Sequence, residues 1–557
     1  MDIMKKLVFY LLVLVFNVTI FGQVTNEFPK SSDLDLSKTI REIKVPSVVM
    51  PNFDFQKLKE EDEINDKDKS KIYRFGHEFK VDLGITNSGL WSELPNGDRI
   101  WRINIISEGA NTLNFVFNSF KMPEGGKVYL YNEEKTFHLG AYTDKMNNTD
   151  ETIGTWLADG ESIIIEYYEP NAVKGKGKLN IGSVVHGYRS VSNFKAFQKD
   201  LNTSGNCNQD VNCPVGSDFD SLKDIIKKAV GITLVGNSGF CTGTLINNTS
   251  NDKAPYFLTA NHCGTANANW AFRFNWISTN AVCATTENST DNGPSNYFQT
   301  TSGAISRAIN PESDVQLVEI TGGLDEDWDI DWAGWDRTGN TPSFVVGVHH
   351  PDGDIMKVCR ENVSPTIADN VNIGGIPDPV DTWRVDDWDL GVTEGGSSGS
   401  AIFDPSGRIV GQLAGGGAAC SGTNDNGAPD FYGRFSISWD FGTTDGTRLS
   451  NWLDPENTGR TTLNALSQGD DPGDGGGGTP EEVVLFPNPT EGILMISDGD
   501  ESEFSYMVFD IFGQLVLEGQ TGEDREIDLS SVSSGMYFVC MENLSVGGSF
   551  TKKIIVR

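Results

Sequence analysis

Three short segments of this 557-residue chain carry side chains that could perform acyl transfer. In "YFLTANHCG", Tyr256–Gly264, an apolar run ends in a histidine followed by a cysteine. A general base must hold a ring nitrogen within hydrogen-bond reach of its nucleophile. His262, at the end of a buried strand with Cys263 able to pin it, would be held that way. In "EGGSSGSAIF", Glu394–Phe403, glycines flank Ser398 and an apolar strand follows. Gly396 and Gly399 permit a tight turn that a Cβ would obstruct. Such a turn can aim the N–H groups of Gly396 and Ser398 into one space, which makes an oxyanion hole. In "PESDVQLVEI", Pro311–Ile320, Asp314 opens an apolar strand. As a buried carboxylate it would accept the second ring N–H of His262, fix the tautomer and stabilise the imidazolium formed during attack. Each segment alone has a plainer reading: a structural histidine, a Gly/Ser surface loop, a solvated turn residue. Together, in the order His, Asp, Ser and each beside a strand, they follow the chain order of chymotrypsin rather than that of α/β-hydrolases or subtilisin.

Positioning three residues so far apart in sequence requires a β framework. Short Val/Ile/Thr/Tyr/Phe runs between Gly, Asn and Asp clusters, with 61 glycines, point to an all-β chain of several domains. Lys5 and Lys6 precede an apolar run from Leu7 to Phe21, too short for a comfortable membrane span, so residues 1–22 are expected to be a signal peptide. A membrane anchor is the alternative. Residues 23–199 form a separate N-terminal region. A charged stretch with the run Lys57–Lys71 leads into alternating segments between Tyr73 and Arg189 that predict a β-sandwich. Residues 200–467 hold the three chemical segments. Residues 468–481 are a Gly/Asp/Pro linker unable to form a core. Residues 482–557 are a small β-rich domain. The net charge of −35 disfavours nucleic acid and anionic membranes as partners. The eight cysteines form no CxxC pairs and no zinc-type spacing, which in an exported chain predicts disulfides. His349 and His350 lack convergent ligands, so no metal or other cofactor is expected.

The segment Cys207–Gly459 resembles the bacterial lysyl endopeptidases, a branch of the trypsin-like serine proteases. The resemblance runs through "CNQDVNCP", "CTGTLINNTSNDKAPYFLTANHC", "SDVQLVEI", "WAGWDR", "GVTEGGSSGSAIF", "IVGQLAGGGAAC" and "RLSNWLDPENTG". It implies a chymotrypsin-like double β-barrel with the site between the barrels, His262 as base, Asp314 as orienting acid and Ser398 as nucleophile. It also implies the bridges Cys241–Cys263, Cys207–Cys420 and Cys213–Cys283, leaving Cys359 and Cys540 without family partners. Asp430, in "PDFYGR", takes the place of the pocket aspartate that selects Lys or Arg as the P1 residue, the one whose carbonyl is attacked. A carboxylate at the bottom of a narrow pocket is a physical reason for that choice.

The chain departs from the family in two respects. Ser397 stands where trypsins keep the aspartate that binds the new N-terminal ammonium, so activation is expected to proceed by unblocking the cleft. Ala414 replaces a histidine of the best-known members, and no tryptophan stands in "SPTIADNVNIGG", which leaves Lys and Arg both open as P1.

The segment Tyr73–Arg189 resembles the family's pro-region, implying folding assistance and inhibition. Lys199, just before Asp200, is a candidate self-processing site. "FPNPTEG", "VFDIFGQLV", "LSSVSSGMYFV" and the tail "KKIIVR" resemble the type A sorting domain of type IX secretion, implying an Ig-like sandwich and the secretion machinery as a partner. The expectation is a monomeric, exported endopeptidase acting on proteins or peptides. A different P1 preference and a catalytically dead adhesin on the same fold are the alternatives.

Overall fold

A computed structural model describes residues 27–32, 43–189, 204–287, 289, 299–470, 484–486, 488–490, 492–497, 504–511, 513–522, 526–543 and 549–557. The expected signal peptide, the Lys199–Asp200 junction and most of the expected linker lie outside the described residues. Two compact units divide the chain, one ending at Gln468 and the other beginning at Gly469. Among the described residues no helix is long and apolar enough to cross a membrane.

Within the first unit, residues 47–187 build a sandwich of two sheets. One runs Ser47–Val49, Arg99–Ile106, Ser162–Glu169, Lys127–Tyr131, His138–Tyr142; the other runs Ala158–Asp159, Thr112–Lys121, Lys178–Gly187, Gly76–Gly84. Side chains alternate as the pleat demands. Ile163, Ile165 and Tyr167 point into the sandwich core, whereas Ile164 joins Tyr129, Tyr131 and Ala141 on the opposite face. Ahead of the second sheet lies an α-helix, Phe55–Asn65, whose N-terminus is capped by the Asp54 carboxylate accepting from Lys57 N–H at 3.1 Å.

Residues 204–470 build two large, mainly antiparallel β systems, the chymotrypsin-like arrangement. The first orders Thr300–Ser302, Ala271–Phe274, Val230–Val235, Gly239–Leu245, Tyr256–Ala260, Val315–Ile320 and Ala304–Asn310. The second contains Val345–His349, Ala401–Phe403, Ile409–Gly416, Asp430–Arg434 and Val380–Val385 in that order. Leu245, Phe257 and Leu317 of the first share one continuous core with Val346, Val358 and Phe403 of the second. That shared core fixes the seam where the candidate residues emerge.

The sandwich and the two β systems are one unit for a physical reason. Strand Tyr73–Arg74 adds itself to the free end of Gly239–Leu245, with Phe240 opposite Tyr73. Phe75 stacks on Phe240 at 4.4 Å between ring centroids, and both are buried.

The second unit is a sandwich of three strands (Val484–Phe486, Ile493–Ser497, Glu526–Asp528) against four (Leu515–Gln520, Phe504–Asp510, Gly535–Asn543, Ser549–Val556). Leu494, Val508, Ile527, Val539 and Ile554 lie in its core.

Candidate active site

Strand Tyr256–Ala260 runs antiparallel to Val315–Ile320, with Ala260 opposite Val315. The residues that leave the sheet at that end, His262 on one strand and Asp314 on the other, are therefore brought together. Asp314, at φ 53°, accepts from the His262 backbone N–H at 3.0 Å, and its Oδ2 lies 2.6 Å from ring Nδ1. A carboxylate oxygen accepts here from an Nδ1–H, the tautomer that leaves Nε2 as the acceptor of the ring. Asp314 is fully buried and the His262 side chain is 5% exposed. His262 Nε2 is itself buried and has no hydrogen-bond partner.

Ser398 arrives from the second system, on the turn before Ala401–Phe403. The glycine after it explains the close approach. Gly399, at φ 84°, lies so near the end of the His262 strand that a Cβ would stand 2.6 Å from Ala260 N and 2.2 Å from Thr259 Oγ1. The Thr242 N–H donates to the Ser398 carbonyl at 2.9 Å. Gly396, also at φ 84°, turns the chain ahead of Ser398, and its carbonyl accepts from Thr242 Oγ1 at 2.9 Å. The Ser398 hydroxyl donates to the backbone carbonyl of Lys69 at 2.7 Å.

Ser397 Oγ lies 2.9 Å from His349 Nδ1. Burial, then the neighbouring His350, hold the His349 imidazole well below its ordinary range, so this contact is neutral. His350 Nδ1 lies 2.9 Å from the Asp354 carbonyl, and burial lowers its pKa to about 3. Glu394 accepts from Gly205 N–H at 2.7 Å and Asn208 Nδ2 at 2.8 Å, tying the segment that begins at Ser204 to the serine turn.

Asp430 is fully buried at the start of strand Asp430–Arg434. Its Oδ2 accepts from Trp388 Nε1 at 2.9 Å and Thr393 Oγ1 at 2.7 Å. Its Oδ1 lies 2.7 Å from the Lys69 ammonium, which also donates to Thr393 Oγ1 at 2.7 Å. A Cβ at Gly416 would stand 2.1 Å from Asp430 Oδ1, so the glycine leaves room at this carboxylate. Ala414 sits in a small apolar cluster with Ile373, Ile376 and Val380.

Three disulfides hold this framework: Cys207–Cys420, Cys213–Cys283 and Cys241–Cys263. The last joins Gly239–Leu245 to the residue after His262. Cys359 and Cys540 are free thiols; burial and then the Asp430 carboxylate push Cys359 up. Among the described residues no group of three or more His, Cys, Asp or Glu is placed to hold a metal ion.

The structure thus brings His262, Asp314, Ser398 and Gly396 to one seam, with Asp430 reached from Ser398 through Lys69. Sequence reasoning missed Lys69, Thr393, Trp388 and the His349–Ser397 contact. Thr393 stands directly before the "EGGSSGS" turn and was the most accessible of these. Nothing local marks Lys69, whose partner is 361 residues away.

Residues 201–433 match the family model described as lysyl endopeptidase, C-terminal domain, and residues 484–557 match that described as secretion system C-terminal sorting domain. A lysyl endopeptidase of Pseudomonas aeruginosa is 27% identical over 365 residues, covering 62% of this chain and 75% of that protein. Among solved structures, Rv3671c of M. tuberculosis H37Rv, in an inactive mutant form, is matched with 15% identity and TM-score 0.25 over 41% of this chain and 88% of that one. Deg5 is matched with 11% identity and TM-score 0.23 over 38% of this chain and 87% of that one.

Proposed function

We propose, from the membership of residues 201–433 in the lysyl endopeptidase family and of residues 484–557 among the secretion sorting domains, that this secreted serine protease cleaves peptide bonds after lysine, with His262, Asp314 and Ser398 as its triad. His262 Nε2 takes the Ser398 proton as Oγ attacks the substrate carbonyl. Asp314 keeps the proton on Nδ1 and balances the imidazolium. The N–H groups of Gly396 and Ser398 receive the oxyanion, a contribution often worth several kcal/mol. The imidazolium then protonates the leaving amine, and water repeats the sequence on the acyl-enzyme.

One observation carries the lysine preference: buried Asp430 lies 2.7 Å from a lysine ammonium. A carboxylate out of water, braced by Trp388 and Thr393, strongly favours a cation over a neutral side chain. Thr393 Oγ1 accepts from the same ammonium, which suits a compact point charge with three donors rather than a planar fork. The mature enzyme then spans residues 200–467, freed from the pro-region before it and the sorting domain after it.

Digestion of a peptide library by the processed enzyme tests this reading. Cleavage is expected after lysine, with arginine a minor product. Cleavage after acidic or apolar residues would overturn the Asp430 assignment. A fluorophosphonate probe should label Ser398, and absence of labelling would overturn the triad.

A further inference from the structure

The lysine that meets Asp430 belongs to the chain itself. Lys69 lies in the pro-region, on the loop between helix Phe55–Asn65 and strand Tyr73–Arg74. Its side chain is 4% exposed. The ammonium binds Asp430 and Thr393 while the carbonyl of the same residue accepts the Ser398 hydroxyl. One residue therefore engages both the pocket carboxylate and the candidate nucleophile.

Two features separate this pose from a bond about to be cut. The Lys71 N–H donates to the Asp68 carbonyl at 3.0 Å, closing a turn around Lys69 and Ser70, whereas a peptide held along a strand edge is extended. A hydroxyl also has one proton to give. Ser398 donates it to the Lys69 carbonyl, and His262 Nε2 is left without a partner. The base does not hold the proton it must remove.

The turn is braced from both sides. Arg74 reaches back to Asp62 Oδ1 at 2.9 Å, Glu61 Oε2 at 3.0 Å and the Leu58 carbonyl at 2.9 Å. Arg189, just past the last sandwich strand and beside Arg74, holds Asp66. Across the cleft the Gly375 N–H donates to Ser70 Oγ at 2.5 Å.

We propose that Lys69 is a built-in substrate mimic that keeps the unprocessed protease latent, filling the lysine pocket in a pose that does not acylate Ser398. The proposal rests on reading Asp430 as the pocket carboxylate. It adds that recognition and latency use the same ion pair, so an enzyme selective for lysine is silenced by a lysine of its own.

Fluorophosphonate labelling of the intact full-length chain, compared with its processed form, tests this. If the cleft is open about 1% of the time, intact wild type should label about 100-fold more slowly than the processed enzyme. Intact Lys69→Ala should label within about tenfold of its processed form, while Lys69→Arg, a poorer fit to the same carboxylate, should label at a rate between wild type and Lys69→Ala. Intact Lys69→Ala as slow as wild type, with both processed forms reactive, would overturn the proposal. So would Ser70 appearing as the first new N-terminus, because the bond would then be productively bound.

Acetylation of the full-length Ser398→Ala chain needs no activity, and so separates this proposal from the catalytic one. Lys69 should react at least about tenfold more slowly than the exposed Lys67 and Lys71 that flank it. Equal reactivity of the three would sink the mimic even if the processed enzyme proves active.

Discussion

Ser397 Oγ lies 2.9 Å from Nδ1 of His349, and neither group is charged. The position before the proposed nucleophile, Ser398, is therefore satisfied inside the second β system, without an incoming ammonium. The segment beginning at Ser204 is anchored instead by side-chain and amide contacts, Ser204 Oγ to Asp354 at 2.7 Å and Gly205 N–H to Glu394 at 2.7 Å. Acetylating the mature N-terminus should leave kcat/KM nearly unchanged. A loss of tenfold or more, about 1.4 kcal/mol of transition-state stabilisation, would show that an ion pair is being made after all.

Asp314→Asn tests the orienting carboxylate. An amide Nδ2–H facing Nδ1 would favour the tautomer with the proton on Nε2, and the ring could not take the Ser398 proton. Steady-state kinetics on a lysyl peptide should show kcat down by about 10⁴-fold with KM little changed, as in other Ser-His-Asp enzymes. A fall confined to KM would mean that Asp314 acts in binding rather than in chemistry.

Thr393→Val removes the hydroxyl that bridges Asp430 and the lysine ammonium while keeping the shape of the side chain. Losing a hydrogen bond to a charged group costs about 1.5–3 kcal/mol. The expected result is roughly a 10- to 100-fold fall in kcat/KM for lysyl substrates. Arginyl substrates should lose less, since their five donors can find other acceptors. An equal loss for both would show that the hydroxyl only steadies Asp430.

His350 ties stability to pH. Burial, the largest cause, lowers its pKa to about 3 from an ordinary 6.5. The unfolded chain binds this proton first, so stability is fully present above pH 6.5 and falls as pH drops toward 3. The slope approaches 1.4 kcal/mol per pH unit, about 2 kcal/mol between pH 6.5 and 5. His350→Asn keeps a donor for the Asp354 carbonyl and has nothing to titrate. In denaturant unfolding of the processed enzyme, that variant should lose less stability than wild type over this window. Parallel pH profiles would place the acid sensitivity elsewhere, for example at His349.

Much of this architecture is legible before any coordinates. The ends of Tyr256–Ala260 and Val315–Ile320 are readable because a strand's apolar run stops where polar residues begin, at Asn261–His262 for the first and at Asp314 for the second. Glycines at 396 and 399 announce a turn because no other residue adopts that backbone freely. The sandwich strands at Arg99–Ile106 and Ser162–Glu169 are legible from their alternating β-branched and aromatic residues between turn residues.

What the amino-acid sequence determined alone was local chemistry: which residues could be base, acid and nucleophile, which turns surround them, and which segments alternate. Those properties depend on neighbours within a few residues. Only the tertiary structure decided that Lys69 meets Asp430, that Ser397 leans on His349, and that the sandwich and protease share one unit through Phe75 and Phe240. Each of those contacts joins residues far apart in the chain, through surfaces whose fit no local pattern encodes. A lysine in a charged run reads the same whether it faces water or a buried carboxylate; the fold alone chooses between them.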